Sequence, residues 1–116
     1  MTFLVQMIDD VVSNQFEIGE GEVTIGRKLS NDICIGEESV SSFHAKITVE
    51  KNIYFDNILD VYIEDLNSTN GTYVNDVQLR GRQKLSNNDE IKLAWNVFKY
   101  IDNTDGEMEQ TTFIAQ

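Results

Sequence analysis

Three short segments of the chain combine cationic, hydroxyl and amide side chains, which are suited to binding an oxyanion. The segments are Gly26–Asp32, Ser39–His44 and Asn67–Thr72. Arg27 is the only arginine before position 80, and a guanidinium forms strong charge-assisted hydrogen bonds to phosphate. The hydroxyl and amide groups add hydrogen-bond donors for further phosphate oxygens and for a peptide backbone. The pattern therefore indicates a binding site for an anion on loops.

The same segments contain the residue types of a hydrolase. Ser41 and His44 match the nucleophile and the base that such enzymes use. They stand three positions apart where a loop enters a predicted strand, so they need not face each other, and the sequence identifies no acid to orient the histidine. We therefore predict that the protein is not an enzyme and keep a small Ser/His hydrolase as the remote alternative.

Length and charge restrict the classes of protein and partner. The chain has 116 residues, of which 41% are hydrophobic, and this is enough for one domain with one core. Its net charge is −11, which repels nucleic-acid phosphates and anionic membranes at long range. We expect neither as a partner, and an anionic ligand would need a local cationic pocket.

Cysteine content and apolar patterning indicate a cytoplasmic location. Cys34 is the single cysteine, and no Cys/His cluster has zinc-ligand spacing. The N-terminal residues include Asp9 and Asp10 and lack a basic start, which is unlike a secretion signal. No uncharged apolar run has the length of a membrane span, about 20 residues. We predict a cytoplasmic protein without a metal or cofactor.

Short apolar runs separated by Gly, Asn and Asp predict an all-β sandwich. Several runs alternate apolar with polar residues, which is the period of a half-buried strand. No window shows a convincing helical stripe. The predicted strands cover residues 3–5, 16–18, 23–25, 33–35, 45–49, 61–63, 91–95 and 97–101. We predict a folded domain over residues 1–102 and an acidic, flexible C-terminal tail over residues 103–116.

Five ordered blocks of residues make the chain similar to the forkhead-associated (FHA) domain family. The resemblance extends from about Val23 to Leu93, and its blocks are Gly26-Arg27, Asn31-Asp32-Ile33, Ser41-x-x-His44-Ala45, Asp65-x-x-Ser68-Thr69-Asn70-Gly71-Thr72-Tyr73-Val74-Asn75 and Leu85-x-x-x-Asp89-x-Ile91-x-Leu93. It implies a two-sheet antiparallel β-sandwich of about eleven strands that binds phosphothreonine in a partner protein.

The resemblance also implies roles for individual residues. Arg27 would hold the phosphate, and the Ser41 hydroxyl would bond a phosphate oxygen. Thr69 would shape the phosphate end of the pocket, and Asn70 would bond the backbone beside the phosphothreonine. The loops would be supported by residues that do not touch the ligand, namely Gly26, His44 and Gly71.

Two positions depart from the family pattern. Ser42 stands where the family often has an arginine or another long polar residue, so a second cationic contact is lost. Lys28 and Ser30 are candidates to compensate for it, and Ser42 itself stays a candidate contact. Asn88 replaces the usual glycine before Asp89, and we expect it to adopt a positive φ, which asparagine tolerates.

These observations predict a phosphothreonine-peptide-binding module that recruits or regulates proteins in a Ser/Thr kinase signalling pathway. The alternative within the same fold is a degenerate scaffold that makes phosphate-independent protein–protein contacts, since Ser42 removes a cationic group. The tail adds one regulatory hypothesis. The family that the chain resembles often selects an aliphatic residue three positions after the phosphothreonine, and Ile114 stands at that position relative to Thr111. The resemblance therefore implies that a phosphorylated Thr111 could occupy the pocket of its own or a neighbouring chain, and so switch off other partners or build a dimer.

Two further clusters receive structural interpretations. Arg80, Arg82 and Lys84 stand at alternate positions and would share one face of a strand, as a solvated sheet edge or as a secondary docking surface for acidic residues. Trp95 and Phe98 flank Asn96 in a predicted tight turn, and we expect both to pack in the core or at an edge.

Overall fold

The computed structural model describes residues 2–55 and 57–102, and these residues form two β-sheets. The first sheet contains β1 (Thr2–Ile8), β2 (Val11–Ile18), β7 (Thr72–Val74), β8 (Val77–Gln78), β10 (Glu90–Leu93) and β11 (Asn96–Asp102). The second contains β3 (Gly21–Gly26), β4 (Ile33–Cys34), β5 (Ala45–Lys51), β6 (Leu59–Asp65) and β9 (Gln83–Lys84). The predicted all-β, two-sheet, eleven-stranded fold is confirmed.

Strand order places β1 and β11 inside the first sheet and β5 and β6 inside the second, while the eight-residue β2 lies at an edge. The first sheet has the order β2-β1-β11-β10-β7-β8 and the second β4-β3-β5-β6-β9. All pairs are antiparallel except β3 and β4, which are parallel. This exception arises because the connection from Gly26 to Ile33 carries the chain back before β4 begins. The loop that contains Arg27 is therefore a crossover and not a hairpin turn.

Alternating apolar side chains form the core between the sheets. In β5 the buried residues are Ala45, Ile47 and Val49, with half-buried polar residues between them. The same period of two buries one face of β6, β10 and β11. Phe98 is fully buried, as we predicted for this aromatic side chain. Burial of these faces stabilises the folded state by about 25 cal/mol per Å² of apolar surface removed from water.

The eight strands predicted from apolar runs all coincide with observed strands, with errors at two boundaries. One predicted strand extended to Ile35, but β4 ends at Cys34. The prediction extended a strand to Trp95, but β10 ends at Leu93 because Ala94 adopts a φ of 58° and starts a turn. Trp95 is 70% exposed, so the prediction that it packs is wrong. Asn88 has a φ of 75°, as expected for the residue that replaces a glycine.

The basic cluster does not share one face of a continuous strand. β9 includes only Gln83 and Lys84, so Arg80 and Arg82 precede it. Arg82 pairs with Glu50 over 3.0 Å and lies 3.8 Å from the ring centroid of Tyr62. Lys84 pairs with Asp60 over 3.2 Å. Two of the three cations thus make ion pairs on the domain itself, at the edge of the second sheet.

Three connections meet at one end of the sandwich. They are the β3–β4 loop (27–32), the β4–β5 loop (35–44) and the β6–β7 loop (66–71). The β10–β11 turn joins them, because the Ala94 amide donates to the Gly71 carbonyl over 3.0 Å. Within residues 2–55 and 57–102, no helix has the length and apolar character needed to cross a membrane. The predicted tail, with Thr111, lies outside the described residues.

Candidate functional site

Gly26 sets the start of the β3–β4 loop because the neighbouring loop crosses directly over it. A Cβ atom at this position would lie 2.3 Å from the carbonyl oxygen of Ser42. The next two residues form backbone hydrogen bonds to the same neighbouring loop, from the Arg27 amide to the Ser41 carbonyl over 2.9 Å and from the Lys28 amide to the Ser42 carbonyl over 3.2 Å. The β3–β4 and β4–β5 loops are therefore joined beside Arg27.

The Arg27 side chain is oriented by a backbone carbonyl. Its Nε donates to the Val40 carbonyl oxygen over 3.0 Å, while the residue itself is exposed. No carboxylate of the described residues forms an ion pair with this guanidinium. Its terminal nitrogens therefore remain available to donate two hydrogen bonds to an anion.

Asn31 holds the other end of the β3–β4 loop. Its side chain is buried, and Nδ2 donates to the carbonyl oxygens of Lys28, over 2.8 Å, and Ser42, over 2.7 Å. Asn31 belongs to the Asn31-Asp32-Ile33 block of the resemblance, which gave it no role. Its signal in the sequence was an uncharged polar residue two positions before the apolar Ile33 strand, where a buried amide can bond loop carbonyls.

Ser41 connects the β4–β5 loop to the β6–β7 loop through its side chain. Its Oγ accepts a hydrogen bond from the Thr69 amide over 2.9 Å. In the described part of the chain the Ser41 hydroxyl donates to no acceptor. A hydroxyl that accepts one bond still has a proton to donate, so Ser41 can donate to an anion held beside Arg27.

His44 is a buried structural residue that bridges the same two loops. Its Nδ1 accepts from the Ser41 amide over 3.1 Å, and its Nε2 lies 2.8 Å from the Gly71 carbonyl oxygen. A carbonyl only accepts, so the proton is on Nε2. Both ring nitrogens are thus bonded to the backbone, and the imidazole is not placed as a base for the Ser41 hydroxyl.

Asp65 braces the β6–β7 loop from the end of β6. Its carboxylate accepts from the Ser68 amide at 3.0 Å, the Ser68 hydroxyl at 2.5 Å and the Thr72 hydroxyl at 2.6 Å. Burial opposes ionisation of this carboxyl, but the hydrogen bonds from Ser68 and Thr72 outweigh that effect and lower its pKa. The ionised Asp65 carboxylate therefore stabilises the conformation of the β6–β7 loop by accepting these hydrogen bonds.

Asn70 and Gly71 complete the loop. The Asn70 Nδ2 donates to the Ser39 carbonyl oxygen over 2.8 Å, which leaves its side-chain oxygen free to accept. Gly71 has a φ of 87°, in the region that favours glycine, and its amide donates to the Ser68 hydroxyl over 2.9 Å. This conformation presents the Gly71 carbonyl to His44.

A concave groove extends from the loop end onto the first sheet. Its volume is about 550 Å³. It is lined by Thr69, Asn70, Tyr73, Asp76, Gln78, Lys92, Ala94 and Trp95. The sequence did not indicate this groove, because its walls come from β7, β8, β10 and the β10–β11 turn, which only the fold brings together. The exposure of Trp95 gave no signal either, since it follows from the turn at Ala94.

The structure brings four of the predicted site residues together. Cross-loop hydrogen bonds gather Arg27, Ser41, Thr69 and Asn70 at one end of the sandwich. Lys28 and Ser42 lie beside this group, and the Lys28 ammonium is 5.7 Å from the Phe43 ring centroid. Ser30 is exposed and makes no side-chain hydrogen bond with the described residues. The gathered groups place a guanidinium, two hydroxyls and a side-chain amide on one surface.

Comparison with known proteins identifies relatives of this architecture. A family model described as FHA domain matches residues 23–94. A search of curated protein sequences returned no match. One similar solved structure comes from a structural and functional analysis of phosphothreonine-dependent FHA domain interactions. It is 26% identical with a TM-score of 0.73, over 87% of this chain and 95% of that chain.

Two other solved structures are similarly close. The FHA domain of the CT664 protein from Chlamydia trachomatis is 28% identical with a TM-score of 0.74, over 87% of this chain and 96% of that one. The FhaA FHA domain, solved in complex with the intracellular domain of Rv3910, is 27% identical with a TM-score of 0.71, over 86% of this chain and 99% of that one. The match in each case spans nearly the whole of the similar chain.

Proposed function

The chain belongs to the FHA domain family, and from that premise we propose that it is a phosphothreonine-peptide-binding module. In this proposal it recruits or regulates proteins in a Ser/Thr kinase signalling pathway in the cytoplasm. The observation that carries the proposal is the Arg27 guanidinium, held by the Val40 carbonyl and without a carboxylate partner among the described residues. An oriented Arg27 guanidinium with no carboxylate partner among the described residues favours an anionic ligand, even on a chain of net charge −11.

The surrounding donors suit a phosphate on a peptide. A phosphothreonine carries about −1.5 to −2 charge and three acceptor oxygens. Arg27 donates from its terminal nitrogens, and Ser41 and Thr69 offer hydroxyl groups beside it. Each charge-assisted hydrogen bond contributes about 1.5–3 kcal/mol. Three such bonds are consistent with binding near −8 kcal/mol, which is about micromolar.

Asn70 and the groove suit the rest of the peptide. The free side-chain oxygen of Asn70 would accept a backbone amide next to the phosphothreonine, while its Nδ2 stays on Ser39. The groove begins at Thr69 and Asn70 and ends at Trp95, so residues on one side of the phosphothreonine would lie in it. The relative studied for phosphothreonine-dependent FHA domain interactions supports a phosphorylated protein as the partner.

The proposal includes the phosphorylated C-terminal tail as one partner. β11 begins at the β10–β11 turn, which contacts Gly71 at the site, and ends at Asp102. The chain therefore leaves the domain at the end opposite the site. Thr111 follows Asp102 by nine residues, which reach at most about 31 Å when extended. A Thr111-phosphorylated tail peptide would bind the domain saturably and compete with other phosphothreonine ligands. Absence of saturable binding would remove the tail as a partner.

Titration of a peptide library tests the function. The probe is a degenerate library around a fixed phosphothreonine, with phosphoserine and unphosphorylated libraries as matched controls. We expect calorimetric binding of the phosphothreonine library alone, because the threonine methyl adds about 1–3 kcal/mol in a fitted pocket. Equal binding of the unphosphorylated library would support the degenerate, phosphate-independent scaffold instead.

A further inference from the structure

The outer edge of β2 is the longest free strand edge in residues 2–55 and 57–102. The strands that end the two sheets are β2, β8, β4 and β9. β2 has eight residues, and each of the other three has two. A free edge presents unpaired amide and carbonyl groups that another strand can pair with. Among these four end strands, only β2 offers such a row over more than two residues.

The side chains of β2 do not protect this edge. The strand reads VVSNQFEI, and it lacks the Lys and Pro residues by which natural proteins prevent edge pairing. Residues 11–15 are all exposed. Because successive side chains point to opposite faces, the sandwich covers neither face of this part of the strand. A second strand could approach without displacing any packed group.

A bulge divides the edge into two parts. The pairing register between β1 and β2 shifts between Gln6 and Met7, so Ser13 has no partner on β1. Bulges twist a strand and interrupt pairing locally. The stretch from Asn14 to Ile18 pairs continuously with β1 and forms an even edge about 17 Å long. An incoming strand would therefore pair along Asn14–Ile18.

An apolar patch adjoins the even part of the edge. Ile8 is 56% exposed, Val11 65% and Val12 55%. Ile8 and Val11 stand opposite each other where β1 turns into β2. Branched side chains such as these favour contact with a strand laid beside them. The edge thus combines unpaired backbone with apolar surface.

Charge around the edge selects the kind of partner. The carboxylates along the first two strands and the turns that follow them are Asp9, Asp10, Glu17 and Glu20, and no Lys or Arg precedes Arg27 in the chain. The nearest cation in the sheet is Lys99, which stands opposite Val5 across the β1–β11 pair. A second copy of the chain would bring the same acids and be repelled. A segment with basic residues would be attracted.

We propose that the Asn14–Ile18 edge of β2 binds, by β-strand addition, an extended segment of a partner protein that carries Lys or Arg on both sides of a short uncharged, β-branched core. Backbone hydrogen bonds provide the affinity, as in other cases of strand addition. The acids at Asp9, Asp10, Glu17 and Glu20 select for the flanking cations. This surface belongs to β2, whereas the phosphate-binding candidates lie on the loops, so it would act independently of phosphorylation.

Synthetic peptides test the proposal on the full chain. The probe is Lys-Lys-Val-Thr-Val-Thr-Val-Lys-Lys, with a Glu-flanked version and a Lys-flanked version that has two central prolines as controls. We expect the first peptide to bind at least about tenfold more tightly than the Glu-flanked one, because the contributions of several charge pairs add up. Amide NMR shifts should centre on β2, and the proline version should not bind.

A charge reversal provides the matched variants. Glu17→Lys combined with Glu20→Lys should reverse the preference between Lys- and Glu-flanked peptides. Glu37→Lys combined with Glu38→Lys changes the charge equally on an exposed loop and should leave the preference unchanged. Equal binding of the proline peptide, shifts centred away from β2, or a dimer of the chain paired through β2 in light scattering and amide exchange would each overturn the proposal.

Discussion

The ring of His44 donates from Nε2 to the carbonyl oxygen of Gly71 over 2.8 Å, although the two residues are 27 positions apart. On its other side the ring accepts the amide of Ser41 over 3.1 Å. The imidazole is fully buried. One side chain therefore sets the separation of the β4–β5 and β6–β7 loops, which carry Ser41, Thr69 and Asn70.

Replacing His44 tests this bridge. His44→Ala should lower the free energy of unfolding by about 2–4 kcal/mol, because it leaves a buried cavity and unpaired backbone groups. It should also weaken phosphopeptide binding. His44→Gln, which can accept from Ser41 and donate to Gly71, should recover part of both. Urea unfolding and calorimetry measure the two effects. An unchanged unfolding free energy in His44→Ala would contradict the bridge.

Gly26 should not tolerate a side chain. Gly26→Ala places a Cβ 2.3 Å from the Ser42 carbonyl oxygen, and backbone must move to relieve that contact. We expect a loss of about 1–3 kcal/mol in unfolding free energy and weaker phosphopeptide binding through Arg27. Gly19→Ala is the control, since nothing lies within 4 Å of its added Cβ. Equal stability of both variants in urea would show that the loops can separate without cost.

Asp65 should make the stability depend on pH. Its pKa is lowered in the folded state because hydrogen bonds from Ser68 and Thr72 outweigh burial. Its contribution is therefore complete above the unfolded-state pKa, about 4, and is lost as the pH falls through the lower folded-state value. Asp65→Asn should reduce stability at pH 7 by about 1–2 kcal/mol.

Urea unfolding between pH 7 and pH 3 provides the measurement for Asp65. The wild-type chain should lose more stability below about pH 4 than Asp65→Asn does. Glu38→Gln, at an exposed position, should follow the wild-type profile. Parallel profiles for the wild type and Asp65→Asn would mean that another group causes the acid sensitivity.

Trp95 should affect ligand binding without affecting stability. Its side chain is 70% exposed and lines the groove beside Asn70. Trp95→Ala should weaken a bound phosphopeptide by about 1–2 kcal/mol, measured by calorimetry, with an unchanged midpoint in urea. Tyr54→Ala is a matched control, because Tyr54 is 80% exposed on the β5–β6 loop and outside the groove. Equal affinity in both variants would remove the groove from peptide recognition.

Alternation of side chains predicted the long strands because a half-buried strand needs a period of two. The short strands β7, β8 and β9 have two or three residues each, too few to show a period, and their pairing depends on partners distant in sequence. Trp95 was misplaced for a related reason. Its exposure follows from the turn at Ala94, whose φ of 58° is unusual for alanine and has no signal in the sequence.

The site was predictable in residue type and order, and less so in geometry. Arg27 and the hydroxyl and amide groups of Ser41, Thr69 and Asn70 were identified from their chemistry and from the resemblance. Their convergence depends on hydrogen bonds between side chain and backbone that join residues 28 and 31 positions apart. Such contacts leave no periodic pattern in one sequence. The ligand-binding roles of these residues stay predictions until binding is measured.

The measurement that tests the account most directly is calorimetric titration of one phosphothreonine peptide, chosen from the library, against the wild-type chain, Arg27→Gln and Arg80→Gln. We expect micromolar binding by the wild type and by Arg80→Gln, and at least about 150-fold weaker binding by Arg27→Gln, since two charge-assisted hydrogen bonds of about 1.5–3 kcal/mol each are removed. The unphosphorylated peptide should bind none of them. Unchanged affinity in Arg27→Gln, with both variants folded, would contradict phosphothreonine recognition at this site.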